Sequence, residues 1–185
     1  ISIFDRAFLF SDAVYEVTTV LDGKLIGFSE HMNRLKESLK KLSIEFLVDQ
    51  SALLLIHKEL ITRNKLKEGL VYLQVTRGVS DRNFIFPEVI DPTLILFTQA
   101  EALLAPERLN RKLKIISRPD IRWERRDIKT TQLLAASLFK TEAKKMGKDD
   151  VWLLDGKFVT EGTSNNAFII NTSGKIITRN LSNMI

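Results

Sequence analysis

Cysteine is absent from this 185-residue chain. Its absence excludes disulfide bonds and thiolate metal sites, and it favours a reducing compartment. Long apolar runs are missing too, so no segment is predicted to span a bilayer. The opening "ISIFDRAFLFSDAV" carries Asp5, Arg6 and Asp12 within its apolar run, which is not the pattern of a signal peptide. These absences predict a soluble, cytoplasmic protein with no membrane partner.

Aromatic residues are sparse where positive charge is densest, from Arg108 to Arg126. The net charge of +5 by itself invites a nucleic-acid interpretation. No RNA- or DNA-binding signature accompanies the charge, so we favour a solvated charged surface and expect no nucleic-acid partner. A basic binding module without catalysis is the alternative from another class of function.

The first hundred residues mix strand-like and helix-like patterns. β-rich runs on either side of Asp22-Gly23 predict a hairpin, because this dipeptide favours a type I′ turn. Ser29 is predicted to cap one helix, and a second helix is predicted from about Ser51. The segments "LVYLQVTRG" and "TLILFT" are strand candidates. The apolar positions at helical spacing in the second helix are Leu53, Ile56 and Leu60.

The remaining residues predict a second, β-rich domain, which makes the fold class α+β. We place an N-terminal α/β domain at 1–100, a connector at 101–111 and the start of the second domain at 112–185. That domain is predicted to contain a helix from about Thr131 that stops at Gly147. The chain starts without Met and stops while the second domain has too few strands to close a sheet or barrel. It is therefore expected to be truncated at both ends.

Five polar residues stand at the ends of predicted elements or within them: Tyr15, Arg34, Arg82, Lys129 and Glu161. Glu161 opens "EGTSNNAF", a stretch whose backbone N–H groups and hydroxyls could bind a phosphate. Taken singly, each residue also has an ordinary interpretation as a salt-bridged arginine, a solvated lysine or a polar turn. The two histidines lack partner ligands in the sequence, so no metal site is predicted.

Five segments in order give these residues a common meaning: "DRAFLFSDAVYEV", "EHMNRL", "YLQVTRG", "RWERRDIKTTQLLAA" and "TEGTSNNAF". Together they resemble the successive signatures of the fold-type IV (class IV) pyridoxal-phosphate-dependent aminotransferases, and most closely the D-amino-acid transaminase branch. The resemblance implies a small α/β sandwich domain, a pseudo-barrel domain with the cofactor between them, and a homodimer with its active site near the subunit interface.

The resemblance assigns Lys129 as the catalytic amine that holds pyridoxal 5'-phosphate through a Schiff base. Glu161 matches the carboxylate that pairs with the pyridine nitrogen, and Arg34 matches the phosphate-binding arginine. Thr163 and Ser164 fall in the phosphate-side stretch. A lysine used in this way must become neutral near pH 7, which desolvation beside cationic neighbours promotes.

Tyr15 and Arg82 match the group that binds the substrate's α-carboxylate, the arginine reaching in from the neighbouring subunit in that family. One departure lies here: the branch shows Arg-x-His, whereas this chain has Arg82, Asn83 and Phe84. The resemblance implies transamination between D-amino acids and 2-oxo acids, of the D-alanine:2-oxoglutarate type. Branched-chain L-amino-acid aminotransferase, aminodeoxychorismate lyase and R-selective amine transaminase are the alternatives on the same fold.

Overall fold

The hairpin predicted at Asp22-Gly23 is present in the computed structural model, which describes residues 1–184. Both turn residues have positive φ, 49° and 70°, as a type I′ turn requires. In chain order the helices are α1 (Arg6–Phe10), α2 (Phe28–Lys41), α3 (Gln50–Arg63), α4 (Pro106–Leu109) and α5 (Leu134–Lys145). The strands are β1 (Ala13–Leu21), β2 (Lys24–Leu25), β3 (Glu68–Thr76), β4 (Thr93–Ala100), β5 (Ile115–Pro119), β6 (Asp150–Asp155), β7 (Phe158–Gly162), β8 (Phe168–Ile170) and β9 (Ile176–Thr178).

The four-stranded sheet is antiparallel, in the order β2-β1-β3-β4. Burial alternates along β1 and β3, so one face of this sheet forms the core. The register places Val14 opposite Val75, both buried on that face. The other face carries a row of stacked rings whose centroids are 5.5 Å and 4.7 Å apart. The row consists of Tyr15, Tyr72 and Phe97.

Helix α2 begins two residues earlier than a cap at Ser29 predicts, and the predicted cap is wrong. Ser29 lies inside the helix, and the N-cap is Gly27, in the left-handed region with φ 64°. Gly27 has no side chain to accept an N–H bond, so the cap supplies only the turn in the backbone. Met32 and Leu35 are fully buried on the inner face of α2.

Helix α3 confirms the predicted second helix but not the predicted face. Its buried residues are Leu53, His57 and Ile61, whereas Ile56 is exposed. This row has the i, i+4, i+8 spacing of one helical face, and the histidine occupies its centre. His57 is tolerated there because its Nδ1 donates to the Leu53 carbonyl at 2.7 Å.

The β-rich part begins with a β–α–β unit. β5 runs parallel to β6, and α5 lies between them in the chain. β6 then pairs antiparallel with β7, and β8 pairs with β9 in a separate sheet. Ala143 of α5 is buried in one cluster with Val151 and Leu153 of β6. The predicted stop of α5 is confirmed, because Gly147 follows the C-cap with φ 67°.

The chain divides into two compact units. Unit 1 contains Ile1–Leu109 with Ile128–Thr131, and unit 2 contains Asn110–Asp127 with Gln132–Ile185. The first break lies within the proposed connector, 101–111. The sequence places Ile128–Thr131 in the second domain, but this segment groups with unit 1 because it pairs with β1. Among residues 1–184, the helices are all too short or too polar to cross a membrane.

Candidate functional site

Lys129 lies in a short extended segment that joins the free edge of β1. The Tyr15 N–H donates to the Lys129 carbonyl at 3.0 Å, and the Thr131 N–H donates to the Ala13 carbonyl at 3.2 Å. Ile128 and Thr130, on either side of the lysine, are buried. The backbone of Lys129 is therefore fixed by the sheet, although no regular strand is formed there.

Helix α2 holds the same segment from another direction. The Lys129 N–H donates to the hydroxyl oxygen of Ser38 at 3.2 Å, and Ser38 is 1% exposed. Ser38 lies one helical turn after Arg34, so α2 presents both side chains on one face. Ser38 is not among the site residues predicted from the sequence. A serine within the apolar face of an amphipathic helix is the signal that could have identified it.

The side chain of Lys129 approaches Tyr15. Its Nζ lies 3.3 Å from the Tyr15 hydroxyl oxygen and 4.4 Å from the centre of the tyrosine ring. Within the described part of the chain, no carboxylate forms an ion pair with this amine. Two predicted site residues that are 114 positions apart in sequence are thus in direct contact.

Arg34 is bound to a buried carboxylate on β1. Its Nε and Nη2 donate to the two oxygens of Glu16 at 2.7 Å and 2.6 Å. His31 contacts the same carboxylate through Nδ1 at 2.7 Å. Burial opposes the charge on Glu16, but the bonds from Arg34 and His31 prevail and lower the pKa of Glu16. The pKa of Arg34 is raised in turn, chiefly by its hydrogen bond to Glu16.

This pairing leaves part of the Arg34 guanidinium available. Its Nη1 has no hydrogen-bond partner in residues 1–184, and the side chain is 52% exposed. Glu16 is fully buried and orients the guanidinium plane by a two-point contact. Glu16 is also absent from the predicted site residues, although a carboxylate on the buried face of a strand is a detectable signal.

Arg82 lies in the loop 77–92 between β3 and β4, and it is exposed. Its guanidinium carbon is 5.6 Å from the Phe10 ring centre and 5.4 Å from the Phe84 ring centre. Among the described residues it forms no hydrogen bond or ion pair, and none of its contacts is with Tyr15. Arg82 is therefore a cation without an anionic partner, held between two aromatic rings.

Glu161 is in β7 and pairs with Arg122 of the same unit. Arg122 Nη1 donates to Glu161 Oε1, and the other N–H groups of this guanidinium bind Asp120 at 2.8 Å and 3.0 Å. Burial raises the pKa of Asp120, but the contacts from Arg122 outweigh it and lower that pKa overall. Glu161 Oε2 has no hydrogen-bond partner in residues 1–184. One oxygen is thus held by Arg122 while the other can accept a further bond.

Thr163 and Ser164 differ in their surroundings. Thr163 is buried, and its hydroxyl donates to Asp150 at 2.5 Å, so its proton is already used in a hydrogen bond within the protein. Asp150 also accepts from Asn165 at 2.9 Å. Ser164 is exposed and makes no side-chain hydrogen bond among the described residues. Of the two predicted hydroxyl groups, Ser164 has the one that is available to an outside ligand.

The dense positive charge that prompted the nucleic-acid alternative is largely paired. Each arginine from 108 to 126 forms an ion pair with a carboxylate, so this segment presents little uncompensated charge. The pairs are Arg108–Glu101, Arg111–Asp149, Arg118–Glu142, Arg122–Asp120, Arg125–Asp127 and Arg126–Asp120. The geometry therefore offers no support for a basic binding module.

Curated relatives match the whole chain. D-alanine aminotransferase from Staphylococcus aureus strain MSSA476 is 32% identical over 186 aligned positions, which cover 100% of this chain and 65% of that protein. The chain thus spans about two thirds of the length of such relatives.

Two solved structures share the fold. Branched-chain amino acid aminotransferase from Escherichia coli superimposes with a TM-score of 0.84 at 19% identity, over 96% of this chain and 62% of that one. 4-Amino-4-deoxychorismate lyase from Pseudomonas aeruginosa gives 0.76 at 24% identity, over 93% and 64%.

The family to which the sequence matches agrees with the curated relatives and with the solved structures. The model of the amino-transferase class IV family matches residues 13–185. Residues 13–185 include every predicted site residue, from Tyr15 to Ser164. The enzymes of this family depend on pyridoxal phosphate, and their solved members show the two-domain fold-type IV architecture. This chain belongs to the class IV aminotransferase family.

Proposed function

We propose that the protein carrying this chain is a pyridoxal-phosphate-dependent aminotransferase that exchanges amino groups between D-amino acids and 2-oxo acids. The observation that carries the proposal is the contact of Lys129 Nζ with the Tyr15 hydroxyl at 3.3 Å. An amine fixed through its backbone, free of carboxylates and beside a hydroxyl has the surroundings that imine chemistry needs.

The residues present fit the cofactor. Three groups retain bonding capacity of the kind that pyridoxal phosphate requires: the Lys129 amine, the second oxygen of Glu161 and Nη1 of Arg34. A carboxylate oxygen accepts from a protonated ring nitrogen, and a guanidinium donates to a phosphate. We assign Lys129 to covalent attachment, Glu161 to the ring nitrogen, and Arg34 with the Thr163–Ser164 stretch to the phosphate. In that stretch, the backbone N–H groups and the Ser164 hydroxyl are the proposed donors.

When bound, the cofactor withdraws electrons from the substrate's Cα–H bond. Lys129 would carry the proton from the substrate's Cα to the cofactor's C4′ carbon, acting first as a general base and then as a general acid. Tyr15 stands within hydrogen-bond distance of Nζ and would keep the amine directed while it is free. Glu161 would hold the positive charge on the ring nitrogen, and Arg122 would hold the orientation of Glu161.

Carboxylate recognition is assigned to Tyr15 and Arg82. Arg82 is exposed and has no anionic partner among the described residues, so its guanidinium can bind a carboxylate at two points. We propose that it acts across the interface of a homodimer. A substrate without a carboxylate would not use this cation, which disfavours a simple amine substrate. The D-amino-acid choice rests on the D-alanine aminotransferase relatives at 32% identity.

The test is a screen of the natural polypeptide that contains these residues. Amino donors would be D-alanine, L-leucine, aminodeoxychorismate and a chiral amine, and the change in absorption of the bound cofactor would be followed in single half-reactions. We expect D-alanine to react fastest. Reaction with L-leucine or aminodeoxychorismate alone would select one of the alternatives on the same fold.

Two variants test the residue assignments. Lys129→Ala should abolish the visible absorption of the attached cofactor and multiple turnover, whereas Lys144→Ala, at an exposed lysine of α5, should change neither.

Arg82→Ala should lower kcat/KM for D-amino acids about thirtyfold or more, the low end of the cost of truncating a paired charge. Its slow reaction with simple amines should be nearly unchanged. Equal losses for amino acids and amines would contradict the assignment of Arg82.

A further inference from the structure

The loop that carries Arg82 is attached to a buried pair of arginines. Arg6 in α1 is 1% exposed, and Arg77, at the start of the loop 77–92, is 3% exposed. Both donate from Nε to the same oxygen, Oδ2 of Asp12, at 2.7 Å. One carboxylate therefore joins the helix before β1 to the segment after β3.

The second arm of Arg6 reaches the loop itself. Its Nη1 donates to the backbone carbonyl of Asn83 at 2.6 Å, and Asn83 directly follows Arg82. Because a guanidinium is planar and its donors are fixed in a fork, Asp12 and the Asn83 carbonyl are held at a defined spacing. A lysine can charge-pair with Asp12 but cannot bind two acceptors in this geometry.

Neighbouring contacts hold the loop at two further points. The Arg6 N–H donates to the Gly78 carbonyl at 2.9 Å. Arg77 donates to the carbonyls of Leu42 and Ser43, directly after helix α2, and its guanidinium carbon lies 3.6 Å from the Phe86 ring centre. Phe84 packs edge-on against Phe10 of α1 at 5.4 Å. The loop is thus tied to α1 on both sides of Arg82.

We propose that Arg6 is a positioning residue for substrate recognition: by bridging Asp12 and the Asn83 carbonyl, it fixes the loop so that Arg82 is presented to the substrate carboxylate. This inference rests on the proposed function, because it assumes that Arg82 binds that carboxylate. Arg6 itself is buried and touches no substrate. Its effect is expected on substrate affinity through Arg82 and not on the proton transfer by Lys129.

The first measurement is structural and does not depend on the role of Arg82. Amide hydrogen exchange would be compared for peptides covering residues 80–88 in the parent protein and in Arg6→Lys. Loss of the bond to Asn83 should speed exchange there about three- to tenfold, the factor that one hydrogen bond represents. Arg63→Lys, at an exposed arginine paired with Glu59, is the matched control. Unchanged exchange in folded Arg6→Lys would overturn the anchor.

The second measurement is a double-mutant cycle on the half-saturation constant for a D-amino acid. Arg6→Lys should raise this constant about three- to tenfold with kcat little changed, and it should leave the reaction with a simple amine unaffected. In an Arg82→Ala background the same substitution should have no further effect. An equal effect with and without Arg82 would overturn the positioning role.

The two experiments separate the possible failures. If Arg82→Ala alone leaves the half-saturation constant unchanged, the proposed role of Arg82 is wrong, and the role of Arg6 in substrate recognition falls with it. The exchange data would still decide whether Arg6 anchors the loop. If Arg6→Lys does not fold, the same test passes to Arg6→Gln, whose side-chain amide is too short to reach the Asn83 carbonyl and should likewise speed exchange in residues 80–88. Parent-like exchange in that folded variant would contradict the anchor.

Discussion

Glu161 shows how one side chain can be both fixed and available. Arg122 binds its Oε1, while Oε2 has no partner in residues 1–184. A carboxylate held in this way can accept a bond from a ring N–H without first losing another contact. Asp120 holds Arg122 at Nε and Nη2, which fixes the orientation of the guanidinium that binds Glu161.

Glu161→Gln should therefore retain the cofactor but slow proton transfer at Cα. An amide cannot stabilise the positive ring nitrogen as a carboxylate does, and a charge-assisted hydrogen bond contributes about 1.5–3 kcal/mol, or tenfold and more in rate. Single-turnover absorption kinetics with D-alanine would measure the step. Glu124→Gln, at an exposed glutamate of the same unit, should leave the rate unchanged. A parent-like rate in Glu161→Gln would count against its role.

Lys129 and Arg34 are proposed as site residues through the family resemblance and not through residue patterns, for physical reasons. The contact between Lys129 and Tyr15 spans 114 positions and depends on how an irregular segment pairs with the edge of β1. No periodicity in the sequence encodes that pairing. Glu16 and Ser38 lie on the buried faces of a strand and a helix, and the sequence alone does not show which groups they bind.

Helix boundaries at the element scale depend on caps. The sequence assigned Ser29 to cap α2, but Gly27 caps it through a left-handed backbone instead. In α3 a side chain does cap the helix: Asp49 Oδ1 accepts from the N–H groups of Ser51 and Ala52 at 2.9 Å and 3.1 Å. Ser29 and Asp49 are both short polar residues before an apolar pattern, so composition alone does not show which of them caps a helix.

Asp49→Ala should lower the free energy of unfolding by about 1 kcal/mol, since the two N–H groups lose their acceptor. Ser29→Ala is the matched control and should change it by less than about 0.5 kcal/mol, because Ser29 is exposed and caps nothing. Asp49→Asn retains the acceptor oxygen and should recover most of the loss. Urea unfolding followed by far-UV circular dichroism would measure all three. A larger loss for Ser29→Ala would favour the cap that the sequence predicted.

Strand positions were more predictable than helix faces. The hairpin at Asp22-Gly23 corresponds to β1 and β2, and the runs "LVYLQVTRG" and "TLILFT" correspond to β3 and β4. The predicted face of α3 was wrong at Ile56, which is exposed, and His57 takes the neighbouring core position. Inside a protein, a neutral histidine with one satisfied nitrogen can occupy a core position at a modest cost, and sequence hydropathy does not register this.

The titration of buried groups makes the stability of the whole molecule depend on pH. Desolvation is the main cause that lowers the pKa of His57, although its bond to the Leu53 carbonyl acts in the opposite direction. The bond requires a proton on Nδ1, and Nε2 is buried without a partner in the described part of the chain. Folding therefore disfavours a second proton on the His57 imidazole.

Three buried carboxylates have pKa values below their ordinary values. They are Glu16 in β1, Asp120 after β5 and Asp150 in β6. Burial raises each pKa, yet hydrogen bonds from arginine, threonine or lysine side chains lower it overall. Their contribution to stability is present above the ordinary values of 4.5 and 3.8 and is lost as the pH falls through the folded values. Acid should thus destabilise the molecule in two separate pH ranges, a lower one set by these carboxylates and an upper one set by His57.

The upper pH range is set by the titration of His57. Because the pKa of His57 is lowered in the folded protein, below the ordinary value of 6.5 the unfolded chain binds this proton more readily than the folded chain does. The free energy of unfolding therefore falls as the pH decreases from there. One proton can contribute at most about 1.4 kcal/mol per pH unit. Measured by urea unfolding between pH 7.5 and 5, the parent should lose stability while His57→Leu should show a flatter dependence. Because the carboxylates are unchanged, both proteins should lose stability alike below about pH 4.5. An identical slope in the two proteins above pH 5 would show that His57 accepts a proton in the folded state.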